Sequence, residues 1–123
     1  MSARRLILVA DDDADILLLV KAVLERLGHE VVAVGDGSEA LASARARKPD
    51  LAVLDITMPA LDGLEVLRRL RADAETSDLP VILLTARAQE ADVRHGFASG
   101  ASAYVKKPFS PRELAERVAQ LLP

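Results

Sequence analysis

The protein is 123 residues long, half of its residues are hydrophobic and 28% are charged. This length fits one domain, and the balance is typical of a globular chain rather than a disordered or membrane-spanning one. The lack of cysteine in the sequence excludes disulfides, thiolate metal sites and cysteine nucleophiles. A net charge of −3 does not favour nucleic-acid binding by this chain. We therefore expect one domain over residues 1–123, located in the cytoplasm, with no membrane and no direct nucleic-acid contact.

Five short apolar runs lie along the chain, and each is too short to form a helix. They cover residues 6–10, 31–34, 51–54, 81–84 and 103–105. Because the runs are nearly continuously apolar rather than alternating, they are typical of parallel strands covered on both faces. The sequence therefore predicts a parallel sheet buried between two layers.

The segments between and after these runs have the spacing of amphipathic helices. Gly28, Pro49 and Gly100 are predicted to end the first, second and fourth helices. Ser38 is predicted to cap the second, and residues 110–113 form a capping box with proline at the first helical position of the fifth. Each predicted helix has its own set of apolar positions. They are Ile16, Leu19, Val20, Val23, Leu24 and Leu27 in the first helix, Leu41 and Ala44 in the second, Leu64, Leu67 and Leu70 in the third, Val93 and Phe97 in the fourth, and Leu114, Val118, Leu121 and Leu122 in the fifth. Strand and helix alternate throughout, which predicts an α/β domain of three layers.

Polar side chains follow four of the five predicted strands. They are Asp11, Asp12 and Asp13 after the first strand, Asp55 after the third, Thr85 after the fourth, and Lys106 and Lys107 after the fifth. Residues 35–37, after the second strand, read as a plain turn. Ligands of open α/β sheets bind beyond the carboxyl ends of the strands, so we expect these groups to share one site.

Crowded carboxylates are the central feature of this predicted site. Two like charges ~4 Å apart repel by ~4 kcal/mol at an effective dielectric constant of 20. Such a group is tolerated when it binds a cation, pairs with a lysine or holds a proton. Oxygen ligands without histidine or cysteine favour Mg²⁺, with Mn²⁺ as the alternative, over zinc. A carboxylate can also attack a phosphoryl group, with Lys107 and Thr85 placed to stabilise the transferring charge.

Four segments, taken in order, resemble the receiver domain of two-component response regulators, of which the chemotaxis regulator is the single-domain example. They are LVADDD at 8–13, LDITMPALDG at 54–63, LTAR at 84–87 and GASAYVKKPF at 100–109. The resemblance covers nearly the whole chain. It implies a flavodoxin-like, doubly wound (βα)5 sandwich whose five parallel strands have the order 2-1-3-4-5.

The resemblance also implies a role for each site residue. Asp55 would accept a phosphoryl group from a sensor histidine kinase or a phosphotransfer protein. The metal would be held by Asp12, by Asp11 partly through water, by Asp55 and by the backbone carbonyl of Thr57. Lys107 would contact the phosphoryl group. The remaining implied features are a switch formed by Thr85, Ala86 and Tyr104, and a cis peptide bond between Lys107 and Pro108.

Phosphorylation would then change the surface formed by the fourth helix, fifth strand and fifth helix, which would control a downstream protein or effector domain. Arg87, Glu113 and Arg117 fit a dimer through this surface, whereas Ser102 and Ala103 stand where that dimer has acids. We therefore expect a monomer or a weak, phosphorylation-dependent dimer. The resemblance predicts that the chain is not an enzyme in the usual sense, because the domain would catalyse only its own phosphoryl transfer and autodephosphorylation.

Two other functions stay open from the residues alone. A phosphohydrolase is one, since Asp55-Ile56-Thr57 is loosely similar to the haloacid-dehalogenase signature, although Thr57 stands where such an enzyme carries its general acid. A degenerate receiver that only binds proteins is the other. Structural roles are also weighed for Asp13 and Asp15 as helix caps, and for the arginines of the third helix, Arg68, Arg69 and Arg71, as a solvated face.

Overall fold

A computed structural model of the chain describes residues 4–86 and 100–122. Within these ranges five strands form one sheet: β1 (Leu6–Ala10), β2 (Glu30–Val34), β3 (Leu51–Asp55), β4 (Val81–Ala86) and β5 (Ala103–Lys107). The order across the sheet is β2-β1-β3-β4-β5, and every neighbouring pair is parallel. The predicted α/β class and strand order are confirmed.

Four helices lie in the described residues: α1 (Ala14–Arg26), α2 (Gly37–Arg47), α3 (Gly63–Ala72) and α4 (Pro111–Leu121). The helix predicted around Val93 and Phe97 lies outside the described residues, so α4 is the fifth helix of the sequence analysis. Gly28 follows α1 with a positive φ of 92°, in agreement with its predicted role as a helix stop. None of the helices described here is both long and apolar enough to cross a membrane.

Two apolar layers cover the sheet, one on each face. On one face α2 and α3 bury Leu41, Val66, Leu67 and Leu70 against β1, β3 and β4. On the other face, α1 and α4 contribute the following residues to the core: Val20, Leu24, Leu114 and Val118. Alternate residues of each strand enter opposite layers, which explains why the central parts of the strands are nearly continuously apolar.

Acidic or hydroxyl side chains cap three helices in the same way. The side chains of Asp36, Asp62 and Ser110 each accept a hydrogen bond from the backbone N–H of a glutamate three residues later, at 2.7, 2.8 and 3.1 Å. The cap predicted at Ser110 is confirmed, whereas the cap predicted at Ser38 is wrong. Asp36 has the extended backbone of a cap, and Ser38 already lies inside the first turn of α2.

For α1 and α3, the structure differs from the prediction in which side chains are buried and which face solvent. Leu19 and Leu27, predicted to lie on the buried stripe of α1, are 37% and 44% exposed. The buried stripe is therefore narrower than predicted and centres on Val20 and Leu24. Arg71 does not belong to a solvated face, because its guanidinium donates two hydrogen bonds to the carbonyl of Gly100, at 3.0 and 2.9 Å.

Candidate functional site

The alternation of the strands brings three of the predicted site residues to one face of the sheet. Val9, Val53 and Val105 are buried in the core on the α1–α4 face. Because side chains two positions apart share a face, Asp11, Asp55 and Lys107 continue the same rows at the carboxyl ends of β1, β3 and β5. The fold therefore gathers residues that are up to 96 positions apart in sequence.

Three carboxylates meet at this end of the sheet. One oxygen each of Asp11, Asp12 and Asp55 lies within 4.8 Å of the others. Asp11 is fully buried and Asp55 is nearly so, while Asp12 is exposed to solvent. We call Asp11, Asp12, Asp55 and Lys107 the acidic rim. It combines two buried acids with one acid that faces water.

Lys107 joins the two buried acids. Its ammonium nitrogen lies 2.9 Å from Asp11 Oδ2 and 3.2 Å from Asp55 Oδ1. Burial alone would lower the pKa of Lys107, but the hydrogen bond to Asp11 and the charges of Asp55 and Asp11 outweigh it and raise the pKa. The lysine is therefore a permanent cation at neutral pH.

One lysine does not balance the three carboxylates of the rim. Burial and, after it, the charge of Asp11 raise the pKa of Asp55 from 3.8 to about 6, although Lys107 acts in the opposite direction. With all groups ionised, three carboxylates and one ammonium leave two negative charges. A hard divalent cation with oxygen ligands fits both this charge and this donor set, so Asp11, Asp12 and Asp55 are the residues that could hold Mg²⁺.

The backbone around β1 fixes the position of the acids. The N–H of Asp13 donates to Asp11 Oδ1 at 2.9 Å, which orients the Asp11 carboxylate. Asp13 itself caps α1, accepting from the N–H groups of Asp15 and Ile16. The capping role weighed for Asp13 is confirmed. Asp15 lies in the first turn of α1 instead of capping it.

The segment between β3 and α3, residues 56–62, carries Thr57 and is held at both ends. The N–H of Ile56 donates to the carbonyl of Leu84 at 3.1 Å, and the N–H of Gly63 donates to the carbonyl of Ile56 at 2.7 Å. A Cβ atom at Gly63 would lie 2.3 Å from the carbonyl oxygen of Asp55. Thr57 itself is exposed at the end of the sheet, two residues after Asp55.

Thr85 and Ala86 lie on β4, the strand next to β3, and Tyr104 lies on β5, the strand beyond it. Thr85 is fully buried, and its hydroxyl donates to the carbonyl of Ala86 at 3.1 Å. Tyr104 pairs in register with Leu83; because Leu83 is two residues before Thr85, Thr85 and Tyr104 share the α2–α3 face. Tyr104 is half-buried, and burial raises the pKa of its hydroxyl to about 12.

The predicted cis peptide bond is found between Lys107 and Pro108. It follows directly on the residue that joins Asp11 and Asp55. Among the other predicted residues, Lys106 is exposed and pairs in register with Thr85. Arg87, considered for the dimer surface, lies outside the described residues.

One part of the site is absent from the sequence interpretation. The plain turn at 35–37 contacts the segment that carries Thr57, since the N–H of Gly37 donates to the carbonyl of Pro59 at 3.3 Å. The available signal was the spacing of Asp36 and Glu39, which matches the capping box recognised at Ser110 and Glu113. That spacing predicts a helix beginning at Gly37, although it does not predict the contact of this glycine with the segment after β3.

Comparisons with known proteins agree with this geometry. Residues 7–119 match the family of response regulator receiver domains. The chain is 44% identical over 115 residues to the DNA-binding response regulator MtrA of Mycolicibacterium paratuberculosis, covering 94% of this chain and 50% of that protein. It spans about half the length of the curated relatives it matches.

Two solved structures are similar over nearly the whole chain. The chemotaxis response regulator CheY4 of Vibrio cholerae has a TM-score of 0.91 and 30% identity, covering 98% of this chain and 100% of that one. The receiver domain of sensor histidine kinase PA1611 from Pseudomonas aeruginosa has a TM-score of 0.89 and 32% identity, with 98% of both chains covered. That structure has a magnesium ion coordinated in its active site cleft.

The match to the family extends from β1 to α4 and therefore includes the acidic rim, the segment after β3 and the lysine of β5. Both the sequence relatives and the solved structures are members of the same family or contain such a domain. This chain belongs to the family of response regulator receiver domains of two-component systems.

Proposed function

We propose that the chain is a phosphorylation-activated switch that accepts a phosphoryl group on Asp55 with the help of Mg²⁺. The observation that carries this proposal is the acidic rim: three carboxylates within 4.8 Å, two of them joined by Lys107. A stable fold does not require this arrangement, because it gathers negative charge where burial makes that charge costly. A divalent cation and a phosphoryl group would make use of it.

In the proposed reaction, a carboxylate oxygen of Asp55 attacks the phosphorus of a phosphohistidine on a sensor kinase or phosphotransfer protein. A new O–P bond forms, the P–N bond breaks, and its electron pair leaves on the imidazole, which takes up a proton from water. Asp55 becomes an acyl phosphate. Attack of water on that phosphate reverses the modification and regenerates the carboxylate, so the domain turns over no external metabolite.

Charge stabilisation in this step would come from two sources. Asp11, Asp12, Asp55 and the backbone carbonyl of Thr57 would hold Mg²⁺, which would supply positive charge to neutralise the phosphoryl group. Lys107 lies 3.2 Å from Asp55 Oδ1, so its ammonium is placed to exchange that contact for one with the new phosphate. Mn²⁺ meets the same oxygen-ligand requirement and is proposed as a substitute.

Thr85 and Tyr104 would transmit the change. The Thr85 hydroxyl, now bonded to the carbonyl of Ala86, would turn to the phosphate, and Tyr104 would pack further inward on the face that the two side chains share. These residues connect the rim to β5 and, through β5, to α4. The surface of β5, α4 and the helix predicted around Val93 and Phe97 is thus proposed to bind a downstream protein or effector domain.

We further propose that residues 1–123 act as one receiver domain in the cytoplasm, as a monomer or a weak dimer after phosphorylation. The chain itself is proposed to bind neither membrane nor nucleic acid. Its relatives include proteins named as DNA-binding regulators, and any such activity of a longer protein would come from another region.

The experiment that tests the proposal is labelling with acetyl phosphate in the presence of Mg²⁺, followed by mass spectrometry of the intact protein and its peptides. We expect at most one phosphoryl group per chain, located on Asp55. Removal of Mg²⁺ with a chelator, or the substitution Asp55→Asn, should abolish labelling.

Asp50→Asn is the matched control, because Asp50 is an exposed acid that caps the first residue of β1 and lies outside the rim. This variant should be labelled as the wild type is. Labelling of Asp55→Asn at another residue would refute the site, and multiple turnover of an aryl phosphate by the wild type would favour the phosphohydrolase.

A further inference from the structure

The segment that carries Thr57 packs against the start of α2 as well as against β3. The N–H of Gly37 donates to the carbonyl of Pro59 at 3.3 Å. Gly37 is buried, and a Cβ atom placed on it would lie 1.8 Å from the carbonyl oxygen of Leu61 and 2.8 Å from the Leu61 side chain. Here two backbones meet without a side chain between them.

Residue 37 therefore determines how close α2 comes to residues 57–61. A side chain of any kind would require the two backbones to separate by at least about 1.2 Å before the contact reached the shortest distance that real Cβ atoms show. Close-packed interiors have no room to absorb such a change locally. Either α2 or the segment after β3 must move.

The segment after β3 has little freedom to move without affecting its ends. Gly63 holds one end, because its N–H donates to the carbonyl of Ile56 at 2.7 Å. Within the segment, Ala60 has a φ of 67°. This is a left-handed conformation that costs a non-glycine residue about 1 kcal/mol or more. The N–H of Leu61 also donates back to the carbonyl of Pro59, at 2.8 Å. The segment is a tight turn, and a displacement of Leu61 would therefore also displace its other residues.

We propose that Gly37 is a positioning residue for the metal site: by allowing close contact with Pro59 and Leu61, it places the backbone carbonyl of Thr57 where Mg²⁺ requires a ligand. The inference rests on the proposed function, because Thr57 is a ligand only there. Mg²⁺ demands nearly ideal octahedral geometry at short distances. A displacement of about 1 Å at a ligand is therefore expected to weaken binding strongly.

The test compares Gly37→Ala with Gly35→Ala, two substitutions of the same kind in the same turn. Gly35 is exposed, its φ is not positive, and a Cβ atom there would meet no other atom within 4 Å. Isothermal titration calorimetry of the phosphate-free proteins with Mg²⁺ should give Gly35→Ala a Kd within about twofold of the wild type. Gly37→Ala should raise the Kd at least about tenfold, and slow labelling of Asp55 by about 10- to 100-fold, the scale expected for a misplacement of about 1 Å.

The outcomes separate this inference from the proposed function. If the wild type and Gly35→Ala do not bind Mg²⁺, the proposed function fails. If they bind it and a folded Gly37→Ala binds it equally well, the positioning role of Gly37 is refuted and the proposed function stands.

A measurement on the wild type decides the question if Gly37→Ala does not fold. Amide NMR during a Mg²⁺ titration should show the signals of Gly37 and Leu61 moving to saturation with the same Kd as those of Asp12 and Thr57. The amide of Gly35 in the same turn is the internal control, because a glycine whose contacts do not reach the metal site should shift no more than Gly35 does. If the Gly37 signal stays unmoved at saturating Mg²⁺, the inference is wrong.

Discussion

The two ends of the sheet use charged residues in opposite ways. At the carboxyl ends of the strands, the acidic rim crowds three carboxylates around one lysine. At the amino ends, two acids each have a separate backbone partner: Asp50 accepts from the N–H of Leu6 at 2.9 Å, and Asp73 accepts from the N–H of Glu75 at 3.0 Å. Both ends carry acidic side chains, but within residues 4–86 and 100–122 the rim is the one place that brings three carboxylates within 4.8 Å of one another.

Arg71 also binds backbone groups at the amino ends of the strands. Its guanidinium binds the carbonyl of Gly100 with two hydrogen bonds and lies 3.4 Å from the carbonyl of Thr76. It thereby connects the end of α3 to the residues before β4 and β5. Asp50, Asp73 and Arg71 each bind backbone groups at this end, which is what a requirement for stability alone would select.

This contrast between the two ends of the sheet shows how the energetics of charged groups can reveal a functional cluster. An acid that caps a backbone N–H or pairs with an arginine keeps its charge at little cost. The rim instead raises the pKa of Asp55 to about 6, chiefly through burial and the neighbouring charge of Asp11. An acid whose charge its neighbours compensate only in part points to a ligand that supplies the missing positive charge.

Removing the cation of the rim should give the largest effect. We expect Lys107→Ala to slow labelling of Asp55 by acetyl phosphate by about 100-fold, the usual scale for loss of one group that stabilises a transition state. The initial rate of labelling at saturating Mg²⁺ is the measurement. Asp11 and Asp55 would then face each other without the ammonium between them, so the variant should also be less stable in Mg²⁺-free buffer.

Lys106→Ala is the matched control for this variant, since Lys106 is the adjacent lysine and is exposed. Its labelling rate should stay within about twofold of the wild type, because successive side chains of a strand point to opposite faces and that of Lys106 therefore leaves β5 on the face opposite to Lys107. Equal rates for Lys107→Ala and Lys106→Ala would contradict the role given to Lys107.

A substitution at the amino end should act on stability alone. Arg71→Ala removes two hydrogen bonds from a charged donor to Gly100, and we expect the free energy of unfolding to fall by about 1 to 2 kcal/mol. Urea denaturation measures this change. The Mg²⁺ Kd of the folded variant should remain that of the wild type, and a Kd raised tenfold or more, as expected for Gly37→Ala, would show that the two ends are coupled.

Most of the fold could be predicted from the sequence because the strands are apolar on both faces. Such runs have few alternatives to a parallel sheet between helices, and the capping box at Ser110 fixed the start of α4. Boundaries were less accurate. The predicted third strand ended at residue 54, whereas β3 includes Asp55, because a polar residue at the carboxyl end of a strand looks like the beginning of a loop.

The residues of the acidic rim could be predicted from the sequence, but the distances between them could not. Asp12, Asp55 and Lys107 each follow an apolar run, and the rule for ligand sites in open sheets brings them together. The contact of Gly37 with Leu61 joins two segments that are far apart in sequence and carries no motif of its own. The same holds for Arg71 and Gly100, whose contact depends on how α3 and β5 are placed by the whole core.

The crowding of the rim is tested most directly by comparing the stability of the wild type with that of Asp55→Asn, with and without Mg²⁺. In Mg²⁺-free buffer at pH 7 we expect the variant to be more stable by about 1 to 3 kcal/mol, because a pKa difference of one corresponds to about 1.4 kcal/mol. The advantage should grow as the pH rises from 3.8 to about 6, since over this range the folded wild type retains a proton that the unfolded chain has released.

Saturating Mg²⁺ should stabilise the wild type more than Asp55→Asn, because the ion binds the folded state and the variant lacks one carboxylate ligand. We therefore expect the gap between the two unfolding free energies to shrink or change sign when Mg²⁺ is added. A wild type that is already the more stable protein without Mg²⁺ at pH 7, or that gains no more from the ion than the variant does, would contradict it.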